Sequence, residues 1–128
     1  MRFVFALILF VHGFAHLVGF VVPWRVATLP QMPYKTTVLG DSINIGHFGI
    51  RAVGVVWLAA ALAFAACGIA LLARQPWWLP ATIWVTVFSL ALCGIGWPDS
   101  RIGILVDVAI LLALWIGWRY AASHALGL

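Results

Sequence analysis

Residues 3–22 read FVFALILFVHGFAHLVGFVV, twenty residues without a single Asp, Glu, Lys or Arg but with two histidines, His12 and His16, one helical turn apart. A hydrocarbon core about 30 Å thick is crossed by roughly 20 apolar residues in a helix, so length and composition assign this stretch to a transmembrane span. Ionisable groups inside such a span are costly. The two imidazoles are therefore expected to face a protein interior or a cavity and to mark whatever the chain does. The stretch has no charged leader followed by a short apolar run and a small-residue cleavage site, and it continues into Val21, Val22, Pro23 and Trp24. It reads as a retained helix, not a removed signal peptide.

The same arithmetic applied outward finds three more apolar runs, at about 46–73, 77–96 and 102–120. Each should be helical, because a lone span must satisfy its backbone hydrogen bonds internally and four segments cannot close a β-barrel. The predicted fold is an all-α polytopic membrane protein, a single domain over residues 1–128 built as a four-transmembrane-helix antiparallel bundle. Composition agrees: 66% of residues are hydrophobic and 8% charged, with a mean hydropathy of +1.14. That is far outside the range of soluble domains. The lipid bilayer is the expected surroundings.

Punctuation supports these boundaries. Pro23 ends the first helix, Ser42 or Asn44 can cap the second, Gln75-Pro76 breaks the chain after Arg74, and Trp97-Pro98-Asp99-Ser100 separates the third helix from the fourth. Trp24 and Trp97 mark one membrane interface, Trp77, Trp78 and Trp118 the other. The connection at 24–45 is long, with Pro30, Pro33 and Gly40-Asp41, and either covers a cavity mouth or lies as an inert interfacial ribbon.

The net charge of +4 comes from seven scattered Lys and Arg, with no basic cluster to follow a phosphate backbone, so nucleic acid is excluded as a partner. The positive-inside count is a tie. Arg2, Arg74 and Arg119 lie on the side of the termini, Arg25, Lys35 and Arg101 on the other. Because the first three tightly flank helix ends, both termini are placed in the cytoplasm. Cys67 and Cys93 fall near opposite ends of neighbouring spans, too far apart in depth for a disulfide, and read as small packing residues.

The polar residues inside the spans gather in one half of the bilayer. With each helix centred on the midplane, His12 lies near the centre, His16 about 5 to 6 Å towards the long loop, and Asp107 about 4 to 5 Å on that same side. Arg51 starts higher, with His47 one turn above it, and its long side chain can reach inward. An unpaired Asp107 carboxylate would cost about 2.5 to 3.5 kcal/mol on insertion scales, so it should find Arg51 or a histidine, or be protonated. Arg51 is the expected partner.

His12, His16, His47, Arg51 and Asp107 are thus the candidate ligand-binding residues of an intramembrane pocket. A small lipid-soluble ligand such as a quinone or isoprenoid headgroup suits it, with Arg51 anchoring an oxygen, His16 exchanging a proton and Phe10, Phe14, Phe20, Trp57 and Trp84 as aromatic walls. Two alternatives stand beside it. His12 and His16 project from one helix face and, with Asp107, could hold a catalytic metal, although HxxxH without the acidic residue of HExxH is a weak signal. Or the polar groups merely fix helix register in a scaffold subunit, since such interhelical pairs contribute about 0.6 kcal/mol on average. No cofactor is named by any motif. Small-xxx-small pairs, Ala59/Ala63, Ala61/Ala65 and Ala15/Gly19, allow close helix approach and make a homodimer conceivable.

His12-Gly13-Phe14-Ala15-His16-Leu17, the Pro-Tyr-Lys-Thr-Thr stretch at 33–37, Gly46-His47 through Gly54 and Trp57, and Gly96-Trp97-Pro98-Asp99 together resemble small bacterial four-helix membrane proteins of the DoxX-like type, some of them labelled permeases. The resemblance spans nearly the whole chain. It implies a multi-pass protein of the bacterial inner membrane and, from some relatives, a link to quinone-coupled sulfur oxidation as a redox-associated accessory subunit. The chain has no CxxC, no haem motif and no nucleotide loop, and nothing in it supplies the coupling machinery of a permease.

Overall fold

A computed structural model describes residues 1–125 of the chain. It is mostly helical: α1 (Arg2–His16), α2 (Val18–Val21), the two-residue strands β1 (Thr37–Val38) and β2 (Ile43–Asn44), α3 (Gly46–Leu72), α4 (Trp78–Ile95) and α5 (Arg101–Ala125). Four segments are long and apolar enough to cross a membrane: Arg2–Val21, Gly46–Leu72, Trp78–Ile95 and Arg101–His124. The first comprises α1 and α2. They are separated only at Leu17, whose own φ and ψ stay helical (−61°, −26°). The last helix runs past the expected end at residue 120, because nothing between Gly117 and Ala125 breaks it.

Consecutive helices pack on one another: α1 and α2 lie on α3, α3 on α4, and α4 on α5, whereas α1 and α5 do not pack along each other. The four long segments therefore form an open arc with a cleft between its first and last members. Below that cleft the interior is filled by Leu9, Phe64, Cys67, Ile110 and Leu114.

Close approach of α1 to α3 depends on Gly13. A Cβ there would lie 2.9 Å from Phe64 Cβ and 3.0 Å from the Ala61 carbonyl oxygen. Gly13→Val is expected to lower stability by about 1 to 3 kcal/mol, the usual cost of overpacking, read as a drop in thermal midpoint in detergent. An unchanged midpoint would show that the two helices are not locked at this crossing.

The polarity of the fold is inverted relative to a protein built for water. On α4 the residues turned inward are Thr82, Thr86 and Ser89, all 0% exposed, while Ile83, Trp84, Val87 and Phe88 face out. The threonines satisfy their hydroxyls along their own helix: Thr82 Oγ1–H donates to the Trp78 carbonyl at 2.7 Å and Thr86 Oγ1–H to that of Thr82 at 2.6 Å. On α5, Asp107, Ile110 and Leu114 face in, and Leu105, Leu112, Trp115 and Ile116 face out.

Within the long connection, β1 and β2 pair antiparallel, Thr37 opposite Asn44 and Val38 opposite Ile43. The reversal takes Leu39, Gly40 and Asp41 through left-handed φ values of 53°, 63° and 66°. The hairpin is fastened to the end of α4: Leu39 N–H donates to the Ile95 carbonyl at 2.9 Å and Gly40 N–H to that of Trp97 at 2.8 Å. Part of this connection, Met32, Pro33, Lys35, Thr37 and Val38, borders the cavity between the helices.

Candidate functional site

The cleft between the first and last helices widens into a cavity of about 680 Å³. Its walls are Leu7, Ile8, Val11 and Ala15 of α1, Ile50, Val53 and Trp57 of α3, and Ile102, Gly103 and Val106 of α5. The hairpin loop roofs it with Met32, Pro33, Thr37 and Val38, and Lys35 and Asp99 stand at the mouth. Trp57 is held over the cavity by Gly19, whose missing side chain leaves room for the indole. The walls are almost wholly apolar, and the volume falls within the range of small-molecule sites.

At the floor the polar residues converge. His12 Nε2 lies 2.8 Å from Asp107 Oδ1, Ser89 Oγ lies 2.8 Å from Asp107 Oδ2, and His16 Nε2 lies 2.7 Å from Ser89 Oγ. His16 Nδ1 is 2.9 Å from the His12 carbonyl oxygen. Asp107 and Ser89 are 0% exposed, His16 2% and His12 5%. The arrangement is one unbroken chain, His12–Asp107–Ser89–His16, drawn from α1, α4 and α5. The His12–Asp107 contact is the one hydrogen bond joining α1 to α5 among the described residues.

Only one nitrogen of this chain has no bond within it. No fully buried side-chain nitrogen or oxygen lacks a partner among the described residues, and His12 Nδ1 has none, so it reaches open space. Since His12 borders the cavity, that space is the cavity floor. His12 and His16 also stack edge-on, ring centres 4.6 Å apart, with Phe64 4.8 Å from His12 and Trp57 5.0 Å from His16.

The five residues singled out by sequence are divided by the fold. His12, His16 and Asp107 meet. His47 and Arg51 lie elsewhere, and Arg51 is not the partner of Asp107: its guanidinium sits 5.5 Å above the Trp24 ring, exposed, while Trp24 Nε1–H donates to the Arg51 carbonyl at 3.0 Å. The reason is helical phase. Ile50, Val53 and Trp57 turn into the cavity, which places His47, Arg51 and Val55 on an outward stripe. His47 is hydrogen-bonded to Tyr34, the rings stacked 5.8 Å apart, and Arg25 lies 4.3 Å over the ring of that tyrosine. Of the expected aromatic walls only Trp57 lines the cavity. Phe14 and Trp84 are 75% and 73% exposed, Phe10 packs on Gly68, and Phe20 lies against Trp24.

Ser89 is the residue that sequence reasoning missed, although Thr82, Thr86 and Ser89 recur at helical spacing in an otherwise apolar run and so mark an inward polar face. Cys93 does more than pack, since it borders the cavity; a Cβ on Gly103 would meet its sulfur at 2.7 Å. Both cysteines are free thiols.

A catalytic metal is poorly served by this geometry. No group of three or more His, Cys, Asp and Glu side chains able to hold one exists among the described residues. Both nitrogens of His16 and Nε2 of His12 are already engaged, leaving a single imidazole nitrogen for coordination.

At the mouth, Lys35 Nζ lies 2.8 Å from Asp99 and 3.4 Å from Asp41. The hydrogen bond to Asp99 holds the Lys35 ammonium above its ordinary pKa of 10.5. A hydrogen bond from Thr37, with Lys35 nearby, holds Asp41 below its ordinary 3.8. The Lys35 contribution is complete below 10.5 and is lost as pH rises through the raised value. The Asp41 contribution is complete above 3.8 and is lost as pH falls through the depressed one. Amide-exchange protection of Leu39 and Gly40 should therefore stay level between those limits and drop outside them. Lys35→Met should reduce it by less than about fivefold, as suits a partly exposed pair worth about 0.2 to 1 kcal/mol. A steep change near neutral pH would mean that another group fastens the loop.

Compared with family models, curated proteins and solved structures, the chain finds no match in any of the three.

Proposed function

We propose that this chain is a multi-pass protein of the bacterial inner membrane, an antiparallel four-helix bundle of the DoxX-like type with both termini in the cytoplasm, and that it binds a small lipid-soluble ligand in the cavity between its first and last spans. The single observation that carries this reading is the form of the cavity: apolar walls, one cluster of hydrogen-bonding groups at the floor, and a side open between α1 and α5. A headgroup with one or two polar atoms, such as a quinone or quinol, reaches His12 at the floor. Its apolar tail leaves through the cleft past Ala15 and Val106. The inverted polarity of the helices supports a bilayer setting, because Thr, Ser, His and Asp are inside and the aromatic and aliphatic residues outside. The outward face of α5 then meets acyl chains or a second copy.

In this role the protein is an accessory subunit that holds its ligand for a redox partner. Native mass spectrometry of the protein released from bilayer nanodiscs tests the reading: a stoichiometric adduct of quinone or isoprenoid mass is expected. Protein that is bare on release and stays bare with added quinone and with added quinol contradicts it.

One observation favours a second reading, in which the polar groups only hold the helices in register. All of them but His12 Nδ1 are satisfied by one another. On that reading the cavity holds acyl chains alone, and the same mass spectra show no selective adduct.

A further inference from the structure

The hydrogen-bond chain at the cavity floor determines which chemical form of a ligand it accepts. His16 Nδ1 faces a carbonyl oxygen, which can only accept, so this nitrogen carries hydrogen. Three contacts then remain: His16 Nε2 to Ser89, Ser89 to Asp107, and Asp107 to His12 Nε2. Each needs one hydrogen. The serine hydroxyl supplies one and a neutral His12 a second, so filling all three takes one proton beyond those of an ionised carboxylate and two neutral imidazoles. With that proton the cluster is electrically neutral overall, either as imidazolium His16 with carboxylate Asp107 or as neutral His16 with the acid form. Neutrality is what a site walled by hydrocarbon favours, because an uncompensated buried charge is expensive.

In both arrangements His12 donates from Nε2 to Asp107. Its Nδ1 is then a bare lone pair facing the cavity. Presenting a hydrogen there instead, with all three contacts kept, takes a further proton and a net charge of +1.

Resting on the ligand-binding reading above, we infer that His12 Nδ1 accepts a hydrogen bond from a hydroxyl, so that the cavity selects a hydroxyl-bearing headgroup, a hydroquinone, phenol or lipid alcohol, over the corresponding carbonyl. A carbonyl ligand binds only with uptake of one proton from water. Its affinity therefore rises up to tenfold for each unit of falling pH, whereas that of the hydroxyl form does not follow this slope. The ionisable groups around His12 are few. His16 comes from its own helix, Asp107 from α5 and Cys93 from α4; α3 presents Phe64 and Trp57, and Lys35 and Asp99 stand at the mouth. The last two are paired with each other, which leaves the floor cluster to take up the proton.

The test measures binding to the intact protein in nanodiscs at neutral and mildly alkaline pH. The probes are a benzoquinol with a short alkyl tail, its dimethyl ether, its quinone, and farnesol. The quinol is expected to bind at least tenfold more tightly than the ether and the quinone, and the quinone alone to tighten as pH falls. Farnesol binding alongside the quinol extends the site to alcohols in general; failure of farnesol restricts it to aromatic hydroxyls, and both uphold the hydroxyl requirement. Quinol, ether and quinone binding equally at every pH would overturn the inference while leaving ligand binding intact. Binding of none of the four would overturn the ligand-binding reading itself. His12→Phe should erase the discrimination between quinol and ether; should that variant not fold, the comparison among probes decides without it.

Discussion

Asp107→Ala is expected to lower the stability of the protein by about 3 to 5 kcal/mol, the scale seen when one member of a buried charged pair is removed. The carboxylate is 0% exposed and receives two of the three contacts in the floor cluster. Its loss leaves His12 Nε2 without its partner, an orphaned polar group that costs about 1 to 3 kcal/mol, while Ser89 Oγ keeps only its contact with His16. It also removes the tie across the cleft between α1 and α5. Asp107→Asn should be milder, since an amide keeps the shape and can serve one neighbour correctly but not both. Chemical denaturation in mixed micelles gives the comparison.

Two companion variants separate this explanation from general fragility. Replacing the pair together, His12→Phe with Asp107→Leu, should lose less than Asp107→Ala alone, because no polar group is then stranded at that contact. Arg51→Ala should change stability by no more than about 0.5 kcal/mol, as an exposed side chain outside the cluster. A large Arg51 effect that disappears in the background of an Asp107 substitution would restore the pairing expected from sequence.

Ala15→Trp is expected to abolish ligand retention, at least a tenfold loss of affinity or about 1.4 kcal/mol, while leaving the thermal midpoint of the ligand-free protein nearly unchanged. Ala15 borders the cavity, as Val106 does from α5, and is itself exposed. An indole there fills the opening without entering the packed core around Leu9 and Phe64, so blockage and misfolding can be told apart. Unaltered retention would mean that the ligand arrives by another path, through the loop side past Lys35, or binds elsewhere.

Depth was legible in the sequence, and direction around the helix was not. Counting residues from the ends of each span put His16 and Asp107 at a shared depth and His12 one turn away, in the same half of the bundle, because rise per residue is fixed at about 1.5 Å; the structure joins Asp107 directly to His12 and reaches His16 through Ser89. The azimuth of Arg51 could not be obtained in that way. In α3 nearly every residue is apolar, so no polar face tells which stripe turns inward, and the inward stripe is set by Gly13 against Phe64 and Gly19 against Trp57. Long range contributed as well: Ser89 lies 18 positions from Asp107 and 73 from His16, and only the packing of α4 between α3 and α5 joins them. The hairpin at 37–44 escaped notice because each strand has two residues, too few for alternation to register. Its fastening to Ile95 and Trp97 uses backbone amides, which leave no mark in a sequence.

The lateral cavity is tested most directly by a benzoquinol carrying a photoreactive diazirine on its tail, irradiated with the protein in nanodiscs and mapped by peptide mass spectrometry. Adducts are predicted on the cleft residues Ala15, Ile102 and Val106, and they should disappear when unlabelled quinol is added in excess. Labelling spread over outward residues such as Leu62 and Leu112, unaffected by competitor, would contradict a ligand site between the first and last helices.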